Sequence, residues 1–505
     1  MHPGQDFDLD RELPAASTEL IQDLELGTLF GAMAAGDQFL HDVARQAVLS
    51  SLTDAAAIAY RQHVLADCLA QPSVIRDVYD VSVEAIAREK REFYSLFRAT
   101  PDSVLNRSVR VLAIFLAQLR KLRTIADEHA GDFGSAGFTR FFAMLAEELD
   151  DGFFRSAGGH LQALKFGHGV QLSAALGTGN KGAGYVLRKL REQSWLERIS
   201  GGRPGYSFQI ADRDSNGFQA LGKLKDRGTD LLANALGQAC EHILSFFLML
   251  RAELAFYVGC LNLHERLTGQ GEPACFPVPV ADGQTALSAG GLYDACLALH
   301  AGGRVVGNGL AADSKRLVMI TGANQGGKST FLRSVGLAQL MMQCGMFAPA
   351  AEFRASLCRG VFTHFKREED ATMTDGKLAE ELSRMSGVVS ELSPGCLLLC
   401  NESFASTNER EGSEIARQIT RALLDQGVRV LYVTHLFDLA HRYYREQRAD
   451  ALFLRAQREP DGARSFRVTP GEPLPTSHGA DVYQRIFGAG PPSGRAGRTA
   501  ASPVS

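Results

Sequence analysis

The sequence predicts a multidomain protein, mainly helical through its first half and followed by an α/β domain of the P-loop nucleotide-binding class. Three observations carry this expectation. Apolar residues recur at three- and four-residue spacing over residues 17–131 and again over 219–267, the pattern of amphipathic helices. Short apolar runs (RLVMITG, GCLLLCN, VRVLYVTH) then alternate with helical stretches, as in a parallel sheet covered by helices. The string TGANQGGKST joins an apolar run to a helical one, the setting that a phosphate-binding loop requires.

Composition narrows the classes. A chain of 505 residues has room for roughly two to four domains. Its 45% apolar and 22% charged residues are those of a folded globular protein. Fifty-three basic against 57 acidic residues give a net charge of −4, which excludes coating nucleic acid by overall charge and leaves any such contact to local patches. Nine cysteines, with no C-x-x-C pair and no Cys/His zinc spacing, read as free thiols of a reducing compartment. The acidic, polar start MHPGQDFDLDRELP lacks the features of a secretory signal. The most apolar run, Ile243 to Leu250, meets Arg251 and Glu253 well before the ~20 residues that span a bilayer. A cytoplasmic protein without a membrane segment is expected.

Taken in order, residues 1–130 are expected to form a helical domain, as in VLNRSVRVLAIFLAQLRKLRTIADEH. Residues 131–285 continue as long helices with a small β-containing insert near 166–214, where GVQLSAALGTGNKGAGYVL and GRPGYSFQIADRD suggest strands and hairpin turns. The periodicity of 219–267 fits one long helix or two. After the link GQGEPACFPVPVADGQ, residues 286–487 form the α/β domain, and 488–505, rich in Gly, Pro, Ala and Ser, read as a disordered tail.

The candidate ATP-binding loop comprises Gly322, Ala323, Asn324, Gln325, Gly326, Gly327, Lys328, Ser329 and Thr330, of which Gly322, Gly327, Lys328 and Ser329 fit G-x-x-x-x-G-K-[ST]. Glycines let backbone N–H groups crowd around phosphates, and the N-terminus of the following helix adds partial positive charge. Lys328 is the expected partner of the β- and γ-phosphates, and the Ser329 hydroxyl an expected Mg²⁺ ligand. A glycine-rich turn without function explains neither side chain.

Further on, GCLLLCNESFASTNEREG puts Asn401 and Glu402 at the C-terminal edge of an apolar strand, where parallel sheets bind ligands. Glu402 is the candidate to orient or deprotonate the attacking water. Asn401 stands where an aspartate normally supports the metal, and its amide oxygen lacks the charge that tightens Mg²⁺ binding. VRVLYVTH brings His435 to the same edge as a candidate γ-phosphate sensor, although alone it would read as a capped or buried histidine. Cys396 and Cys400, flanking three leucines, read as strand packing.

The series TGANQGGKSTFLRSVGLAQLMMQCGMFAPA, GVFTHFKREED, the helix around Glu381 and Leu382, NESFASTNEREG and VTHLFDLA, across residues 305–442, resembles the ATPase domain of the MutS family of DNA mismatch-repair proteins. The segment TLFGAMAAGDQFLHDVARQAVLSSLTDAAAIAYRQHVLADCL is similar to the start of that family's helical core. Residues 219–267 then correspond to the returning lever, and the 166–214 insert lies where the family places its DNA-contacting clamp. The resemblance implies a helical core and lever region followed by an ABC-type P-loop ATPase domain. It also implies ATP and Mg²⁺ as cofactors, a homodimer through the ATPase domains, and slow, DNA-modulated hydrolysis that switches the grip on DNA in mismatch repair or related repair and recombination. The chain begins where the family's core begins and holds no Phe-x-Glu triplet, so the mismatch-reading and connector domains are not expected. Gly376 and Lys377 replace a Ser-Thr pair that contacts the neighbouring subunit's nucleotide, and Asn408 and Glu409 fall in the partner-facing segment.

Three basic clusters are candidate contacts to a DNA backbone: Arg88, Lys90 and Arg91; Arg120, Lys121 and Arg123; and Arg188, Lys189 and Arg191. The last is favoured because it adjoins the insert, although runs this short are more often solvated helix faces. DNA recognised by structure rather than sequence is the expected partner. The alternative is an ATP-gated protein-interaction module without DNA binding; a P-loop kinase would need an acceptor pocket and lid that the sequence does not offer.

Overall fold

The computed structural model describes residues 1–93, 101–166, 170–188, 209–211, 213–281, 284–323, 325–367, 376–458 and 464–474. They fall into two compact units. The first comprises Met1–Arg11, Met33–Ala44 and Ala59–Asn262, and the second Glu12–Ala32, Arg45–Ile58 and Leu263–Ser505.

The chain opens with α1 (Ser17–Asp23), α2 (Leu26–Ala34) and α3 (Gln38–Leu49). The first unit is then built from α4 (Ala55–Ala70) from Ala59 on, α5 (Pro72–Phe93), α6 (Pro101–His129), α7 (Ala136–Glu148) and α8 (Asp151–Ala163), a hairpin of β1 (Gln171–Leu176) and β2 (Gly182–Arg188), and the 55-residue α9 (Ser215–Gly269) as far as Asn262. Both α5 and α6 start on proline, whose missing N–H is no loss at a first helical position. Along α6, Leu105, Val109, Leu112, Phe115, Leu119 and Leu122 are buried at three- and four-residue spacing. Phe115 meets Phe247 of α9 with ring centroids 5.6 Å apart, while Leu105 and Val109 close over Ala233 of the same helix. The entry into α7 is fixed by Asp67, which accepts from the backbone N–H of Gly134 (3.1 Å) and Ser135 (2.7 Å). Residues 219–267 thus form a single helix. One 18-residue stretch of α9 is long and apolar enough to cross a membrane by length and composition, and 44% of it is buried in the fold.

The second unit contains β3 (Val278–Val280), β4 (Leu287–Leu292), α10 (Ala295–Ala301), β5 (Asn308–Ala311), β6 (Leu317–Thr321), α11 (Lys328–Gln343), β7 (Glu352–Ser356) and β8 (Val361–Phe365). It continues with α12 (Lys377–Glu391), β9 (Leu397–Asn401), α13 (Glu409–Asp425), β10 (Arg429–Val433), α14 (Phe437–Arg445), β11 (Ala451–Arg458) and β12 (Arg464–Pro470). Six strands form one sheet in the order β12-β11-β6-β10-β9-β8, parallel except for the β11-β12 pair. A smaller mixed sheet has the order β3-β7-β4-β5. β6 and β10 are buried along their whole length, which is why they read as unbroken apolar runs rather than alternating ones. One core cluster joins Leu317, Leu398, Val430 and Tyr432 of the strands to Leu423 and Leu424 of α13 and Tyr443 of α14. Cys400 belongs to this cluster, Cys396 is also buried, and all nine cysteines are free thiols.

Candidate active site

β6 lies inside the parallel sheet between β10 and β11, so its C-terminal end opens where ligands of such sheets bind. The chain leaves it through Gly322 at φ +118° and enters α11 through Gly327 at φ +87°, with Gln325 also left-handed at +58°. Gly326 has a packing reason as well: a Cβ there would lie 2.9 Å from the Ala456 Cβ of β11 and 3.0 Å from the Ala323 carbonyl. The loop is thereby held flat against the neighbouring strand, with the N-terminus of α11 aimed along it. Asn324 lies outside the described residues.

Lys328 is buried, and its Nζ donates to the carbonyl oxygens of Gly322 (2.9 Å) and Ala323 (3.0 Å). Burial lowers its pKa, opposed by the nearby Glu402 carboxylate. The Ser329 hydroxyl donates to Asn401 Oδ1 at 2.8 Å, so the last residue of β9 reaches across the intervening β10 to the first turn of α11. Glu402 follows at φ +55°, its N–H bonded to the Val433 carbonyl at 2.8 Å. Its Oε2 lies 3.7 Å from His435 Nδ1, and this contact holds the carboxyl below its usual range against the opposing effect of burial. Asn401, Glu402 and His435 therefore meet Lys328 and Ser329 at one sheet edge.

Beside them is a cavity of about 600 Å³ lined by Gln325 to Thr330, Glu402 and a second wall that includes Tyr293, Asp294, Leu297, Val306 and Phe466. The sequence pattern did not single out that wall. Phe466 arrives through β12, where Asn308 of β5 donates to its carbonyl at 3.3 Å and accepts from the Val468 N–H at 2.8 Å. Asp294 caps α10 by accepting from the Leu297 N–H at 3.1 Å and accepts from Arg333 Nε of α11 at 2.8 Å. No motif marks these residues; strand pairing within the smaller sheet, the cap of α10 and the Asn308 side-chain bonds to β12 bring them together.

Several of the other singled-out positions have structural employment. Asn408 caps α13 by accepting from the Glu411 N–H at 3.0 Å, and Glu409 accepts from the Phe437 N–H of α14 at 2.9 Å. Gly376 is the residue preceding α12 and Lys377 its first. In the first unit, Arg88 and Lys121 both pair with Glu84 (2.6 and 2.5 Å), Arg123 pairs with Asp127 (2.9 Å), and Arg120 lies over the Phe154 ring (5.0 Å). Arg188 ends β2 with Nε donating to Ser173 Oγ at 2.9 Å. Lys189 and Arg191 lie outside the described residues, as does most of the expected insert beyond Arg188 and the expected tail.

Comparison with known proteins matches residues 53–270 to the MutS2 N-terminal domain and residues 318–487 to MutS domain V. Among curated relatives, the DNA mismatch repair protein MutS of Thermotoga neapolitana is 33% identical over 129 residues, covering 26% of this chain and 16% of the relative. That of Thermus aquaticus is 32% identical over 167 residues, covering 33% and 20%. That of Chloroflexus aurantiacus is 32% identical over 139 residues, covering 26% and 14%. The chain thus spans a fifth or less of each of these relatives. With MutS-type domains matched over residues 53–270 and 318–487 and the glycine-rich loop, the Asn401–Glu402 strand end and His435 gathered at one sheet edge, the chain belongs to the MutS family.

Proposed function

We propose that the protein is an ATP-dependent DNA-binding protein of the MutS type that hydrolyses ATP slowly and uses the cycle to change its grip on DNA in mismatch repair or related repair and recombination. The observation that carries this reading is the convergence of Lys328, the Ser329–Asn401 pair and the Glu402–His435 pair on one cavity edge. The triphosphate sits against the α11 N-terminus, and Lys328 exchanges its two backbone carbonyls for phosphate oxygens. Ser329 Oγ and Asn401 Oδ1, 2.8 Å apart, are hard oxygen donors that fit a largely hydrated Mg²⁺. When bound, the ion neutralises phosphate charge, and the absence of a carboxylate in this pair makes its hold weak. Glu402, ionised at neutral pH, takes a proton from the attacking water as the water oxygen bonds to the γ-phosphorus and the bridging oxygen leaves with ADP. His435 faces the same group and reports the presence of the γ-phosphate. The family resemblance supports a homodimer through the ATPase domains, a cytoplasmic location, and DNA recognised by its structure.

One observation favours the alternative of an ATP-gated protein-interaction module: Arg88, Lys121 and Arg123 are engaged in internal ion pairs. Salt-titrated binding to homoduplex, mismatched and branched DNA, with and without ATP and Mg²⁺, separates the two. Binding that weakens steeply with salt and shifts with ATP in the wild type but not in Lys328→Ala supports the DNA reading. ATP binding without DNA retention at low salt overturns it.

A further inference from the structure

We propose that Glu381 and His364, buried behind the sheet edge, are positioning residues that hold the segment Glu402–Ser406 in the shape that aims Glu402 at the attacking water. The proposal rests on the ATP-hydrolysing reading of the site. The segment itself needs holding: Glu402 and Phe404 both have left-handed backbones, at φ +55° and +62°, a conformation that non-glycine residues keep only where the surroundings over-determine it.

The surroundings do so from one side. Glu381 of α12 is 2% exposed, and its Oε1 accepts from the Ser406 hydroxyl at 2.9 Å. Burial raises the pKa of its carboxyl, while the Ser406 hydroxyl, Arg384 and the Phe404 backbone N–H hold it down; burying such a group is an expensive arrangement for a residue whose only task is packing. His364 of β8 is fully buried, in register with Cys400 of β9, and its ring stacks on Phe404 with centroids 5.6 Å apart. The Glu381 carbonyl lies 3.1 Å from His364 Nε2. A carbonyl only accepts, so Nε2 carries the proton. Burial, aided by Arg384, lowers the imidazole pKa to about 4, leaving Nδ1 as an acceptor. The Ser403 hydroxyl then faces two acceptors, Nδ1 at 2.7 Å and the His364 carbonyl at 2.8 Å, while the Tyr432 hydroxyl donates to the Ser403 carbonyl at 2.9 Å. Residues 403, 404 and 406 are each tied to the Glu381–His364 pair, and Glu402 begins the segment they fix. Because Glu381 sits on α12, any displacement of that helix acts on Glu402 through this pair.

The test measures ATP affinity with a fluorescent ATP analogue and single-turnover phosphate release for wild type, Glu381→Ala, Glu381→Gln and Ser406→Ala, each alone and combined with Glu402→Gln. Thermal unfolding of every variant checks folding, and Ser406→Ala, which removes one hydroxyl, keeps the test open where Glu381→Ala does not fold. Expected are a roughly tenfold or larger fall in turnover for Glu381→Ala and a smaller one for Ser406→Ala, with ATP affinity changed less than about threefold. Glu381→Gln, which keeps an acceptor for Ser406, recovers most of the rate. In the Glu402→Gln background the same changes cost less than about twofold, since a positioning residue has nothing left to position. Equal losses with and without Glu402, or a wild-type rate in both Glu381→Ala and Ser406→Ala, overturn the positioning role alone. A wild type that neither binds nor hydrolyses ATP overturns the underlying reading and this proposal with it.

Discussion

Replacing Lys328 by alanine separates binding from folding at this site. The buried ammonium makes two hydrogen bonds, at 2.9 and 3.0 Å, to loop carbonyls. In the folded protein without nucleotide, its removal loses those bonds but also relieves a desolvated charge, so the net effect on stability is within about 1 kcal/mol. The thermal midpoint is then expected to move by no more than about 3 °C. With ATP the same side chain serves two phosphates by charge-assisted bonds, and losing them costs about 3 kcal/mol, or roughly a hundredfold in affinity. Isothermal titration calorimetry with ATP, paired with thermal unfolding of the free protein, measures both. A Lys328→Ala variant that binds ATP within threefold of wild type refutes the assignment of this lysine to the phosphates. A variant that binds poorly because it has unfolded refutes the stability half of the argument.

The remaining expectations concern the metal, the loop and the carboxylate. Asn401→Asp adds a full charge beside Ser329 Oγ, and the Mg²⁺ concentration for half-maximal turnover should fall about tenfold; an unchanged requirement removes Asn401 from the metal site. Gly412→Ala drives a Cβ into the Phe404 carbonyl and should cost about 2 kcal/mol in urea unfolding, whereas a wild-type midpoint contradicts this close approach. The Glu402 carboxyl titrates below its ordinary value of 4.5 in the folded protein, chiefly through His435. Its stabilising contribution is therefore present above that value and lost as pH falls through the folded pKa. The stability difference between wild type and Glu402→Gln, measured by denaturant unfolding from pH 7 to pH 3, should shrink toward the acid end; a difference that grows on acidification reverses the sign.

What was readable in the sequence is what depends on local rules. The runs LVMIT and RVLYV are apolar throughout because both faces of β6 and β10 are covered, and that continuity marks a central parallel strand. The helical first half showed in the spacing that α6 buries, from Leu105 to Leu122. The single long α9 was not decided by periodicity, since Gly228 and Gly237 weaken a helix without ending it. The second wall of the cavity could not be read at all: Tyr293, Val306 and Phe466 are unremarkable where they stand and meet only because β4, β5 and β12 are laid side by side by pairing and packing. The same holds for Glu381 and His364, ordinary polar residues until burial leaves them with few partners. The basic clusters were readable only in part: Arg88–Glu84 and Arg123–Asp127 are local i,i+4 pairs, whereas the acidic partner of Lys121 on α6 comes from α5, 37 residues away.

The central claim is hydrolysis of ATP at this sheet edge with Glu402 acting on the water. Phosphate release from Mg²⁺-ATP, compared between wild type and Glu402→Gln at saturating nucleotide, tests it most directly. Slow release by wild type that falls about a hundredfold or more in Glu402→Gln, with ATP binding retained, is the expected result. Equal release by both proteins, or none by a wild type that binds ATP, contradicts it.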